Sequence, residues 1–84
     1  MKMVEHIREL VSSYANVSAD TINDNTRLVG DLGIDSFELI NLLAEIEEQL
    51  GFELDEREVW NLQKFGDIKD YIVRVYDVDR GAGA

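Results

Sequence analysis

One serine, Ser36, stands where its hydroxyl could take part in chemistry. Asp35 precedes it, and Glu38 follows two residues later. An acidic residue with glutamate three positions on, just before an apolar run, predicts a capping box at the start of a helix. Ser36 would then be the first residue of that helix. This pattern fits both a purely structural helix start and a serine that is modified or reactive.

A serine hydrolase is the first class of reaction to consider, and the neighbouring residues argue against it. Such enzymes hold the nucleophile in a G-x-S-x-G turn, whereas Glu38 stands where the glycine after the serine would be. The single histidine, His6, is distant in sequence and lies beside an apolar stripe, which favours a surface position. The chain has no cysteine, so thioester chemistry would need a thiol that arrives with a cofactor.

The composition is that of one small globular domain with an acidic surface. The 84 residues are 45% hydrophobic and 31% charged, and the formal net charge is −10. This charge argues against binding to nucleic acid or to anionic membranes, both of which attract Lys and Arg. No apolar run resembles a membrane span or a secretory signal, so we expect a cytoplasmic protein. We expect the domain to occupy residues 1–76 and a flexible tail to occupy residues 77–84.

The oxygen-rich stretch at residues 23–28 resembles part of a calcium loop, but its spacing excludes an EF-hand. Arg27 and Leu28 stand where that loop needs a ligand and a glycine. Without cysteine there is also no thiolate site for zinc. We therefore expect no metal site.

Apolar periodicity predicts an all-α fold. Apolar residues recur at helical spacing over residues 3–14, 36–50 and 68–75, and a short helix is predicted at residues 55–60. Gly51 should end the second helix in the left-handed conformation, and Asp67 should cap the last one. Trp60 is expected in the core or in the wall of a pocket, of which the core is the commoner place. The prediction is a small four-helix bundle with three longer helices, one short helix and a long loop between the first two.

That loop, residues 16–35, is long enough to need anchors of its own. A single helical turn is predicted at residues 18–21, and an extended connector pinned by Phe52 and Leu54 should follow the second helix. The apolar residues expected to anchor the loop are Val17, Ile22, Leu28, Val29, Leu32 and Ile34.

The second helix has two faces. Its inward stripe is expected to contain Leu39, Leu43, Ile46 and Leu50, with Leu42 at the edge. Its other side mixes apolar and acidic side chains, which fits either a wide core stripe or a surface that docks to a partner. The residues assigned to this predicted docking surface are Asp35, Phe37, Glu38, Ile40, Ala44, Glu45, Glu47 and Glu48.

Residues 31–37, Asp-Leu-Gly-Ile-Asp-Ser-Phe, closely resemble the signature of acyl and peptidyl carrier proteins. The resemblance continues along the second helix and closes at residues 68–72. It implies that Ser36 carries a 4′-phosphopantetheine arm taken from coenzyme A, and that the chain is a non-catalytic carrier and a monomer. It further implies a phosphopantetheinyl transferase as partner, together with acyl-loading and chain-extending enzymes that have basic docking patches.

The resemblance leaves the cargo open. Phe37, Glu38 and Asn41 depart from the leucine, aspartate and acidic residue that fatty-acid carriers commonly have. We expect an acyl carrier of fatty-acid or polyketide biosynthesis. The alternative is an aminoacyl or peptidyl carrier, including a D-alanyl carrier, and a more remote one is an unmodified acidic helical adaptor.

Overall fold

The computed structural model describes residues 2–51 and 53–79, and these form an all-α bundle. The helices are α1 (Lys2–Ala15), α2 (Ser36–Leu50) and α3 (Phe65–Asp79). Two 3₁₀ segments, Ala19–Thr21 and Glu56–Asn61, lie between them. The predicted fold class is confirmed, with the short helix formed as the 3₁₀ segment Glu56–Asn61 (hereafter the 3₁₀ helix).

Two predictions fall wholly or partly outside the described residues. Phe52 is not described, although its predicted companion Leu54 is buried. Residues 80–84 of the predicted tail are not described either. Because α3 continues to Asp79, the boundary predicted at residue 76 falls inside its last turn. The division of the chain into domain and tail stays a prediction.

The core joins all three α-helices. Leu39, Leu43 and Ile46 of α2 are buried, as their spacing predicts. The stripe is rotated slightly from the predicted one, because Leu42 is fully buried and Leu50 is half-buried. The side chains with no exposed surface are Ile7, Val11, Leu28, Leu42, Leu43, Ile46, Phe65, Ile68 and Ile72.

The long loop is anchored at fewer points than predicted. Ile22, Leu28 and Ile34 are buried, whereas Val17 and Val29 are exposed, so those two predictions were wrong. Val29 lies in a turn, in which the N–H groups of Asp31 and Gly33 donate to the carbonyls of Arg27 and Val29, both at 3.0 Å. Leu28 takes the inward position of this turn, with its N–H bonded to the Gln63 carbonyl at 2.9 Å, and the neighbouring Val29 side chain faces solvent.

The start of α3 also differs from the prediction, which placed it at Ile68. The helix begins at Phe65, and Asp67 lies within its first turn. The Asp67 carboxylate reaches back to accept hydrogen bonds from the N–H groups of Gln63 and Lys64, both at 3.0 Å. Asp67 does satisfy backbone N–H groups at the helix start, but from inside the helix.

Gly66 marks the closest approach between α3 and the long loop. Its N–H donates to the Asp24 carbonyl at 3.0 Å, and Lys69 forms an ion pair with the Asp24 carboxylate at 2.6 Å. A Cβ atom added at Gly66 would lie 2.8 Å from the Asp24 carbonyl oxygen. This position needs glycine because a side chain would collide with backbone.

We expect Gly66→Ala to destabilise the protein, although alanine is the better helix former by about 1 kcal/mol. The collision with Asp24 should outweigh that gain and cost about 1–3 kcal/mol, the usual range for overpacking. Urea unfolding followed by circular dichroism measures the change in the free energy of unfolding.

Gly30→Ala is the matched control, because the atoms nearest to a Cβ atom there would belong to the flexible side chain of Arg27, the first at 3.1 Å. It should alter stability by less than about 0.5 kcal/mol. A Gly66→Ala protein as stable as Gly30→Ala would show that the contact between Gly66 and Asp24 is not tight.

Candidate functional site

Ser36 is exposed at the first position of α2. Asp35 is the N-cap residue, and its Oδ1 accepts from the Glu38 N–H at 2.8 Å. Glu38 Oε1 in turn accepts from the Asp35 N–H at 3.4 Å. The predicted capping box is therefore present, and it fixes the backbone that carries the serine.

The residues just before the cap are equally well held. Gly33 has φ of 69°, a left-handed conformation that other residues rarely adopt. The Ile34 N–H donates to the Leu28 carbonyl at 2.8 Å, and the Ile34 side chain is buried. Ser36 thus lies two residues from a core anchor, yet its own side chain faces solvent.

A hollow of about 350 Å³ opens beside Ser36. Residues of the turn at 27–30 line one side, residues of the segment 59–63 line the other, and Ser36 contributes to its wall. Trp60 lines this hollow and is 72% exposed, so of its two predicted places the pocket wall is the one found and the core, the commoner one, is not.

The geometry of the 3₁₀ helix explains the exposure of Trp60. A 3₁₀ helix has three residues per turn, so side chains three positions apart share a face. Val59 is buried within the helix, and Leu62 is buried at its C-cap. Trp60, one position after Val59, is therefore turned away from the core.

The 3₁₀ helix is held in place by a cap and by a tyrosine. Asp55 is its N-cap residue and accepts from the Arg57 N–H at 2.9 Å. The Asp55 N–H donates to the hydroxyl of buried Tyr71 at 2.6 Å, which ties the segment to α3. Tyr71 lies in the apolar run at residues 68–75, whose helical spacing indicated a core position but not this hydrogen bond.

The pKa of the Asp55 carboxyl group is lowered from its ordinary value. The main cause is the hydrogen bonding from the Arg57 side chain, with Nη2 to Oδ2 at 2.9 Å, and the pKa of Arg57 is raised in return. A carboxyl pKa lowered by folding stabilises the native state above the unfolded pKa and loses that effect as the pH falls through the folded value. The cap is therefore charged at neutral pH, although exposure keeps its contribution small.

The residues of the predicted docking surface differ in their exposure and in the hydrogen bonds that their side chains make within the protein. Phe37 is 71% exposed, Ala44 is exposed, and Ile40 is half-buried against the core. Among the acids, Glu47 is half-buried and accepts from the Leu54 N–H at 3.0 Å, so it also fixes the connector after α2. Glu45 and Glu48 are exposed, and Glu45 accepts from the Gln49 side chain at 3.0 Å.

A serine–histidine pair is not formed. His6 Nε2 lies 2.9 Å from Oε1 of Gln49, and Gln49 is thirteen residues along α2 from Ser36. At 1.5 Å per residue that separation is about 20 Å. Within residues 2–51 and 53–79 no group of His, Cys, Asp or Glu could hold a metal ion. None of the helices in this part of the chain is long and apolar enough to cross a membrane.

Comparison with known proteins places these features in a family. Residues 5–72 match the sequence profile described as "Phosphopantetheine attachment site". The acyl carrier protein of Solidesulfovibrio magneticus is 31% identical over 72 residues, which cover 86% of this chain and 92% of that protein. The acyl carrier protein of Nitratidesulfovibrio vulgaris is also 31% identical, covering 86% and 95%. That of Chlamydia caviae is 29% identical, covering 86% and 94%.

The matched segment contains the capped start of α2, the hollow beside it and most of the core. The extent of the match, over most of the chain, confirms the resemblance inferred from residues 31–37. The chain therefore belongs to the phosphopantetheine-binding acyl carrier family, whose members are non-catalytic carriers with a covalently attached 4′-phosphopantetheine group.

Proposed function

We propose that Ser36 is the residue to which the 4′-phosphopantetheine group is attached. The observation that carries this proposal is the exposed primary alcohol of Ser36 at the first position of α2, held by the capping box of Asp35 and Glu38. The residue also falls within the segment that matches the family. An exposed hydroxyl on a fixed backbone is accessible to a transferase without local unfolding.

The attachment transfers the phosphopantetheine portion of coenzyme A to the serine hydroxyl. The Ser36 Oγ attacks the β-phosphorus of coenzyme A, a new O–P bond forms, and the pyrophosphate P–O bond breaks. Adenosine 3′,5′-bisphosphate leaves, and the serine proton passes to a base of the transferase. The positive end of the α2 dipole favours the phosphate that remains on Ser36. The bound group supplies a terminal thiol that holds the cargo as a thioester.

The proposed cargo is an acyl group of fatty-acid or polyketide type. Support comes from the relatives, which are named acyl carrier proteins. An aminoacyl or peptidyl cargo, including D-alanine, is the alternative, because Phe37 and Asn41 depart from the commonest fatty-acid carrier pattern. We also propose that the chain acts as a cytoplasmic monomer that meets its partners by diffusion.

We further propose that partners dock on the outward side of α2. A phosphopantetheinyl transferase and acyl-handling enzymes with basic patches fit the chemistry of this surface, which combines exposed Phe37 with the carboxylates of Glu45 and Glu48. Asp35, Glu38 and Glu47 add charge while their carboxylates also bind backbone N–H groups. A net charge of −10 should speed the encounter with such enzymes.

Incubation with coenzyme A and a phosphopantetheinyl transferase should add one arm to the wild-type chain and none to Ser36→Ala. Ser18→Ala is the matched control, because Ser18 is also an exposed serine beside a helix start, and this variant should load normally. Intact-protein mass spectrometry measures the addition. An arm on Ser36→Ala, or a wild-type chain that several transferases leave unmodified, would contradict the assignment.

Reversing charge on α2 should slow loading through the association step. We expect Glu45→Lys combined with Glu48→Lys to lower kcat/KM for the transferase about tenfold at low salt. The loss should shrink as ionic strength rises and the Debye length falls below about 5 Å. The same charge change on α1, with Glu5→Lys and Glu9→Lys, is the matched control and should have a smaller effect.

Phe37→Ala should behave differently, because it removes apolar contact rather than charge. Its loss of kcat/KM should come from faster dissociation and should persist at high salt. Transferase kinetics over a salt series compare the wild type with Phe37→Ala and with the two charge-reversed proteins. If both charge-reversed proteins lose the same activity at every salt concentration, partners sense net charge and do not dock on α2.

A further inference from the structure

Two basic side chains stand side by side where the long loop pairs with the segment before α3. Arg27 and Lys64 form an isolated antiparallel bridge, and both residues are exposed. Backbone hydrogen bonds of 2.8 and 2.9 Å join the residues on either side of this pair, which is the arrangement in which opposite side chains lie closest. Like charges directly opposite each other disfavour folding, so the fold gains nothing from this pair.

The carboxylates nearest to the pair in sequence bind backbone N–H groups. Asp31 Oδ2 accepts from the Arg27 N–H at 2.8 Å and lies 4.0 Å from Arg27 Nε, a loose ion pair. Asp67 Oδ2 accepts from the Lys64 N–H at 3.0 Å, and Lys64 Nζ forms no ion pair with any carboxylate of the described residues. By contrast, Lys69 Nζ lies 2.6 Å from its carboxylate partner. Both cations of the pair are therefore able to bind an anion from outside the protein.

We propose that the Arg27–Lys64 pair binds a carboxylate side chain of the partner enzyme that docks on α2. This inference rests on the docking proposed above, and it adds a positive contact to a surface that is otherwise acidic. Arginine and lysine together present several N–H donors, and charge-assisted hydrogen bonds to a carboxylate are about twice as strong as neutral ones. The partner therefore carries an aspartate or glutamate beside the basic patch that meets α2.

The charge of the whole chain favours an anion that belongs to a protein over a free one. The formal net charge of −10 repels small anions from solution, and the exposed pair offers them no enclosure. An enzyme that approaches through its own basic patch is instead attracted, and it brings its carboxylate to the pair as it docks. Attraction at one place thus makes contact possible at the other.

The positions of the two kinds of charge define one orientation of the partner. Arg27 lines the same hollow as Ser36, so the pair lies at the serine end of the docking surface. Glu45 and Glu48 lie nine and twelve residues along α2 from Ser36, which is about 14–18 Å at 1.5 Å per residue. An enzyme whose basic patch extended as far as the pair would be repelled there. The pair therefore selects both the orientation and the kind of partner.

Neutralising the pair separates this role from an effect of net charge. Arg27→Gln combined with Lys64→Gln removes two positive charges and should raise the KM for the carrier about threefold to tenfold, because the carboxylate contact is lost. Lys2→Gln combined with Arg74→Gln is the matched control, since it removes two exposed cations from α1 and α3. A more acidic carrier meets a basic enzyme faster, so the control should have an equal or lower KM. Arm-transfer kinetics with the transferase that loads the wild type fastest measure the KM for carrier and for coenzyme A separately.

A carbodiimide, which joins an amine to a carboxylate in contact with it, tests the contact itself. With the unloaded chain and the same transferase, Lys64 Nζ should form an amide bond to an aspartate or glutamate of the transferase, located by mass spectrometry of the peptides. Lys2 is the internal control, because it is exposed on α1 and should not be joined. Lys64→Arg should lose the cross-link and keep the wild-type KM, since arginine retains the charge and the donors.

The outcomes distinguish this inference from the proposals on which it rests. A neutralised pair that loads with a KM for carrier no higher than the control would overturn the inference and leave the attachment at Ser36 intact. A raised KM for coenzyme A would also overturn it, because the pair would then bind a phosphate of that substrate. Urea unfolding should find the neutralised variant at least as stable as wild type, and lower stability would assign the pair to the fold. A chain that gains no arm at all would overturn the attachment and this inference together.

Discussion

The reciprocal hydrogen bonds between Asp35 and Glu38 are the constraint on which the rest of the site depends. They satisfy two N–H groups at the start of α2, one at 2.8 Å and one at 3.4 Å. They also fix the helix start between a buried Ile34 and an exposed Ser36. An exposed residue at a helix end would otherwise fray, since the first turn has the fewest partners. The cap therefore gives the serine both accessibility and a defined position.

The other acids of α2 also differ in whether they support the fold. Glu47 holds the connector through the Leu54 N–H, so its charge reaches the surface while the carboxylate supports the fold. Glu45 and Glu48 are more exposed, and surface charges of this kind contribute little to stability. The proposed docking surface thus combines acids that support the fold with acids that are available chiefly to a partner. Substitutions at the first group will confuse folding with binding, whereas those at Glu45 and Glu48 will not.

Much of this organisation could be predicted from the sequence, because the interactions involved are local. The capping box needs only Asp35 and Glu38, and the end of α2 needs only Gly51, whose φ is 78°. The errors in the loop and at the start of α3 came from contacts between distant segments. Leu28 takes the inward position beside Gln63 and leaves Val29 exposed, and α3 begins early because the N–H groups of Phe65 and Gly66 donate to carbonyls of the long loop. The sequence left Trp60 between core and pocket wall, because composition and α-helical spacing do not reveal the period of three of a 3₁₀ helix.

The most direct test compares two substitutions of Asp35. Asparagine caps a helix about as well as aspartate, whereas alanine costs about 0.5–2 kcal/mol. The measurement is the kcat of arm transfer at saturating carrier and high salt, where electrostatic steering is screened. If the cap positions Ser36, Asp35→Asn should stay within about twofold of wild type, and Asp35→Ala should fall by about threefold to thirtyfold. Equal kcat values for Asp35→Ala and Asp35→Asn, in proteins that both remain folded by circular dichroism, would contradict the account.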